Sequence, residues 1–163
     1  MSVVGVDSLA ALTFFFLLAM SLTLDRFFFN ALKASRAIGH MTGGRVFNTT
    51  RTTEDDRLDK VPYIIVTFDS LTNDLDALTK DDMESEEDNV TVSLICVAEN
   101  RKRLGELTVA ARKAVLNWLR ADRDEIEISS WQFSAGSVQC DVDKPCFYQT
   151  LTYNCIADTN INL

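Results

Sequence analysis

The sequence predicts an α+β domain: a mixed or antiparallel β-sheet with two main α-helices packed on one face, preceded by an apolar N-terminal arm. Three observations carry this. From Asn89 to Ala98 the chain alternates, with Val90, Val92, Leu94 and Cys96 on one face and Thr91 and Ser93 on the other, the pattern of a half-buried strand. Directly after it, Leu104, Leu107, Ala111, Ala114, Val115 and Trp118 recur at helical spacing, so Asn100 caps a helix over residues 101–120. The whole order reads helix, strand, strand, long loop, strand, helix, strand, strand.

The elements follow in turn. Residues 8–24 (SLAALTFFFLLAMSLTL) are apolar and sit at the lower length limit for a membrane span. No Lys or Arg precedes them, which disfavours a secretory signal. They read as an arm buried against this protein or a neighbour, as an extension ahead of a natural start at Met20, or, least favoured, as a membrane anchor. Leu24 to Ile38 is the first helix, with Leu24, Phe27, Ala31, Ala34 and Ile38 as its larger apolar stripe and Gly43-Gly44 as its stop. Residues 45–49 and 61–68 are strands, and Pro62, lacking an amide donor, places the start of the second at an edge or outside the ladder.

Residues 69–88 form a long acidic loop: Asp69, Asp74, Asp76, Asp81, Asp82, Glu84, Glu86, Glu87 and Asp88 against Lys80 alone. Such a tract has too little apolar surface to bury itself, so it reads as a solvated loop that is mobile in the monomer. A calcium loop is the functional rival, but the Gly and terminal Glu of an EF-hand are missing around Asp74 and Asp76. After the central helix, residues 126–140 read as a strand bent at Ser134 to Ser137, residues 141–145 as a turn, and residues 146–157 as the last strand. The domain spans 24–158, between an arm over 1–23 and a loose tail over 159–163. Leu104, Leu107, Ala111, Trp118, Val92 and Leu94 are its predicted core.

Composition narrows the function. The 163 residues suffice for one domain with a real core. A net charge of −8 argues against phosphate neutralisation as the main activity. The four cysteines show no CxxC spacing and the single histidine, His40, is distant from them, so a zinc site is disfavoured. Cys96 reads as a core residue, and a Cys140–Cys146 bridge across a hairpin is geometrically conceivable. No nucleophile–base set, P-loop or dinucleotide fingerprint is present, so no catalytic residue, metal site or cofactor is assigned. Asn48 and Asn89 each begin a glycosylation sequon, a match frequent by chance.

One feature of the central helix is unusual for an isolated helix. Arg101, Lys102 and Arg103 fill its first turn, where the macrodipole disfavours positive charge. They are either solvated surface residues or the docking point of an acidic partner, and the acidic loop is such a segment. The chain reads as an assembly protein rather than an enzyme.

Four stretches together support a more specific resemblance. They are FFFNALKASRAIGHMTGGRVF, VPYIIVTF, VTVSLICVAENRKRLGELTVAARKAVL and WQFSAGSVQCDVDKPCFYQTLTYNC. In their order and spacing, from about Leu24 to Asp158, the chain resembles the tail-terminator (tail-completion) proteins of long-tailed bacteriophages. The N-terminal arm departs from that family's pattern. The resemblance implies a homohexameric ring on the head-proximal end of the tail tube, in the virion and assembled in the host cytoplasm. The ring would stop tube polymerisation, bind the tail tube protein and a head-completion or neck protein, and let DNA pass without specific binding. An acidic protein suits that passage because it repels phosphate. The expected subunit or tube interface pairs Arg101, Lys102 and Arg103 with Asp81, Asp82, Glu84, Glu86, Glu87 and Asp88 of a neighbour. The rival classes are a membrane-anchored ectodomain with residues 8–24 as its span and a small metal-binding domain using the acidic loop.

Overall fold

The computed structural model describes residues 26–48, 60–73, 87–121 and 127–158. The predicted arm over 1–23, most of the acidic loop and the tail over 159–163 lie outside them. The fold is α+β, a six-stranded mixed sheet with three helices. Helix α1 runs through residues 26–34 and α2 through Arg36–Thr42. The strands are β1 (Val46–Asn48), β2 (Tyr63–Asn73), β3 (Glu87–Ala98), β4 (Glu127–Ala135), β5 (Gln139–Asp141) and β6 (Cys146–Asp158), with α3 (Arg101–Arg120) between β3 and β4.

The sheet order is β1-β2-β3-β6-β4, with β5 also paired to β6 beyond the end of β4. Strands β1 and β2 run parallel and every other pair is antiparallel. The two long central strands set the frame: β3 and β6 pair from Glu87↔Asp158 to Ala98↔Phe147 without a break. Alternation then sends Val90, Val92, Leu94, Cys96 and Ala98 to one face, beside Leu151, Tyr153, Cys155 and Ala157. Against that face α3 buries Leu104, Leu107, Ala111, Ala114 and Val115. Trp118 is half-buried at the margin of the core, edge-on to Phe27 with ring centroids 6.4 Å apart.

The single N-terminal helix predicted over 24–38 is two helices. Ser35 takes an extended backbone, and its hydroxyl accepts a hydrogen bond from the Ile38 amide at 3.5 Å, which starts α2. Gly43 ends α2 in the left-handed region at φ 61°, where a β-carbon would be strained and would meet the Arg45 guanidinium at 3.1 Å. The break also changes the buried face. Phe27, Phe28, Ala31 and Leu32 are buried, while Ala34, placed on the predicted stripe, is exposed.

Two strand boundaries differ as well. Strand β2 continues to Asn73 and β3 begins at Glu87, so the connection is shorter than 69–88 at both ends. A bulge between Phe68 and Ser70 lets β2 absorb Asp69 and stay paired with β3. The predicted strand over 126–140 is divided by residues 136–138 into β4 and β5, both antiparallel to β6. The Gly136 amide donates to the Thr150 carbonyl at 2.9 Å, which holds the bend against β6. Pro62 falls just ahead of β2, where its carbonyl accepts from Arg45 Nε at 3.1 Å.

Candidate assembly surface

Among the described residues three surfaces are candidates for assembly. The first is the start of α3. Asn100 caps it, its side chain accepting from the Arg103 amide at 2.8 Å. Arg101 lies over the Phe147 ring at 5.6 Å and Arg103 pairs with Glu106 at 3.2 Å, while Lys102 is exposed. The charges that oppose the helix dipole are thus compensated locally at two of three positions, with the guanidinium faces still at the surface.

Glu87 and Asp88 are the first two residues of β3, and Asp81, Asp82, Glu84 and Glu86 lie outside the described residues. The basic turn follows the other end of the same strand, roughly 36 Å away at the rise of an extended chain.

The second surface is the sheet face opposite the helices. No described helix covers it. It carries polar side chains in contact: the Ser93 hydroxyl donates to Asp69 and lies 3.3 Å from the Thr152 hydroxyl, Thr67 donates to the Ser93 carbonyl at 3.2 Å, and, as a separate pair, Thr91 donates to Asn154 at 2.9 Å. Val97 is buried on this face between Tyr63 and Tyr148, its register partners on either side. No lysine or arginine occurs in any of the six strands. Every cation of the described residues belongs to a helix, a turn or a connection.

The third surface is the pair of sheet edges. β1 covers β2 only from Ile64 to Val66, so the outer edge of β2 from Thr67 onward has no partner among the described residues. At the other side of the sheet the outer edge of β4 has none among them either. Trp131 on β4 is 40% exposed, and Arg112 of α3 stacks over the neighbouring Phe133 ring at 4.4 Å. None of this could be read from spacing alone, because these contacts and the edges exist only once the register is set.

The four cysteines are free thiols. Cys140 faces Phe147 and Cys146 faces Asp141 in successive register pairs, which alternate in face, so the hairpin does not bring the two sulfurs together as a bridge. Burial pushes the Cys96 thiol up to about 12 and Cys155 to about 11, from an ordinary 9.0. Burial first, then the Asp141 carboxylate, also raises Cys146. The unfolded chain releases the protons of Cys96 and Cys155 near the ordinary value while the folded chain keeps them, so the unfolded state binds fewer protons across that window. Stability is therefore expected to fall as pH rises from about 9 towards 12. Urea midpoints at about pH 8 and about pH 11 test this, and Cys96→Ala should flatten the slope. At the lower pH a thiol reagent should modify Cys140 and, more slowly, Cys146, and reach Cys96 and Cys155 only in denaturant. Among the described residues no group of His, Cys, Asp or Glu is arranged to hold a metal ion, and no helix is long and apolar enough to cross a membrane. Asp74, Asp76 and the apolar stretch 8–24 lie outside the described residues. His40 is exposed in the last turn of α2.

Among the described residues the geometry defines a class: a helix-backed mixed sheet whose strands carry no cation and whose two outer edges are unpaired. No family model matches the chain, and no curated protein is similar to it in sequence. Among solved structures it is similar to a chain of the virion of a native gene transfer agent particle. The TM-score is 0.51 at 14% identity, over 83% of this chain and 94% of that one. The likeness is one of fold, and it spans nearly the whole of the other chain.

Proposed function

We propose that this chain is a tail-terminator protein of a phage-like virion. Six copies form a ring on the head-proximal end of the tail tube, end its polymerisation, and offer the other rim to a head-completion or neck protein. DNA passes through the ring unbound. The protein works as a structural part, without catalysis or cofactor.

The observation that carries this reading is the sheet. Among the described residues its two outer edges lie unpaired on opposite sides, so a contact joining one edge to the other is head-to-tail, and contacts of that kind form a ring when the rotation closes. The six strands that form its open face carry no Lys or Arg to hold a phosphate, which suits a surface that DNA must slide past. The placement of Glu87 and Asp88 at the opposite end of β3 from the basic turn likewise favours contacts between copies. The order of the four sequence stretches supports the family, and the fold likeness to a chain of a gene transfer agent virion supports a place in a particle of that kind.

Native mass spectrometry tests the assembly. The expected species has six times the 18.3 kDa of one chain, alone or on addition of tail tubes. A chain that stays monomeric in both conditions contradicts the ring.

A further inference from the structure

The β5–β6 turn has the form of a preset knob. Only residues 142–145 lie beyond the last register pair, Asp141↔Cys146. The Asp141 carboxylate accepts from the amides of Asp143 at 3.0 Å and Lys144 at 3.4 Å, which fixes the turn. At its tip Val142 is 98% exposed. A single exposed apolar side chain is ordinary on a protein surface. This one stands on a turn fixed by hydrogen bonds, between two acids, Asp141 and Asp143.

A groove of about 700 Å³ lies between α2 and α3, with Ala37, Met41, Val109 and Ala110 along it and Glu106 and Lys113 beside them. Val109 is 69% exposed there, in a helix whose opposite side is packed on the sheet. The groove has room for a short turn, not merely for one side chain. Its exposed cation complements the knob: Lys113 suits Asp143.

The β5–β6 turn of a chain does not reach that chain's own groove. The turn prolongs the sheet layer and reaches at most roughly 7 Å past the ladder, whereas the groove opens on the solvent side of the helix layer. We propose that the β5–β6 turn of one copy, led by Val142, seats in the α2–α3 groove of the next copy. The contact joins two different surfaces, so it is head-to-tail. It deepens the ring reading and rests on it. One turn buries far less than the roughly 800 Å² per partner of a stable interface, so it acts as the anchor of a wider contact that includes the sheet edges.

Site-directed cross-linking tests this in the full-length chain. Cys140→Ser and Cys146→Ser remove the accessible native thiols, and Val142→Cys and Val109→Cys are then introduced in separate proteins. All four positions are exposed or half-buried, so the fold should tolerate them. Mixed and mildly oxidised, the two proteins should form a disulfide-linked dimer in several-fold excess over either protein alone, while native mass spectrometry of the unoxidised mixture shows the ring. A ring without the mixed cross-link overturns the docking and leaves the ring standing. The cross-link without a ring upholds the contact and removes the ring. Absence of both overturns both. A chain carrying both new cysteines that links within itself at high dilution also overturns the docking, since the groove would then be reachable in one copy.

Discussion

Phe28→Ala is expected to lower the unfolding free energy by about 3–5 kcal/mol, the range for truncating a buried aromatic. Phe28 is 0% exposed and fills the space between α1 and the sheet. Its ring meets Tyr153 at 5.3 Å and Phe27 at 5.6 Å, so truncation leaves two aromatic neighbours beside a cavity. The Tyr153 hydroxyl is buried and has no hydrogen-bond partner among the described residues, so its ring relies on packing. Trp118→Ala should cost less, because Trp118 lies at the margin of the core and keeps one side towards solvent. Urea denaturation of the two variants checks the order. Equal costs, or a larger loss at Trp118, would contradict the placing of Phe28 at the centre of the core and Trp118 at its margin.

Reversing Arg101 and Arg103 to Glu is expected to abolish ring or tube assembly at moderate salt while leaving the monomer folded. Glutamate suits the first turn of a helix better than arginine does, and this gain offsets the lost Arg103–Glu106 pair and the Arg101–Phe147 stacking. The denaturation midpoint should therefore stay close to that of the wild-type chain. Assembly should fail because the turn no longer offers positive charge to the acidic tract of a neighbour or to the tail tube. High salt should reproduce part of the defect in the wild-type protein. Reversing the charges of residues 81–88 in the same chain should restore some assembly. Normal assembly of the Glu variant at low salt would show that the basic turn is only a solvated helix end.

The unit from Asn89 to Arg120 is legible in the sequence because two clean periods meet there. A period of two runs along β3 and a period near 3.6 along α3, with Asn100 at the junction. The N-terminal helix is harder to read because the helical spacing continues across Ser35, and a serine on a stripe gives no sign that its hydroxyl caps a second helix. Phe27 and Phe28 are adjacent and both apolar, so the stripe could be drawn through either, and packing buries both. The start of the acidic tract is poor in strand formers, yet β2 runs on to Asn73 because the long β3–β6 frame supplies a partner for each residue. In the candidate surface the basic turn stands out as a charge run in the wrong place on a helix. The Asp69–Ser93–Thr152 ladder does not, since three residues far apart in sequence become neighbours only through a bulge and two registers. The cation-free sheet is visible in the sequence only after the strands are bounded.

The ring and the tube end meet in one measurement. Purified tail tubes are incubated with the full-length protein, supplied with fresh tube protein, and imaged by electron microscopy. Six-fold density at one end of each tube, and no further growth from that end, is the expected result. Tubes that lengthen equally with and without the protein, and carry no added density at either end, would contradict it.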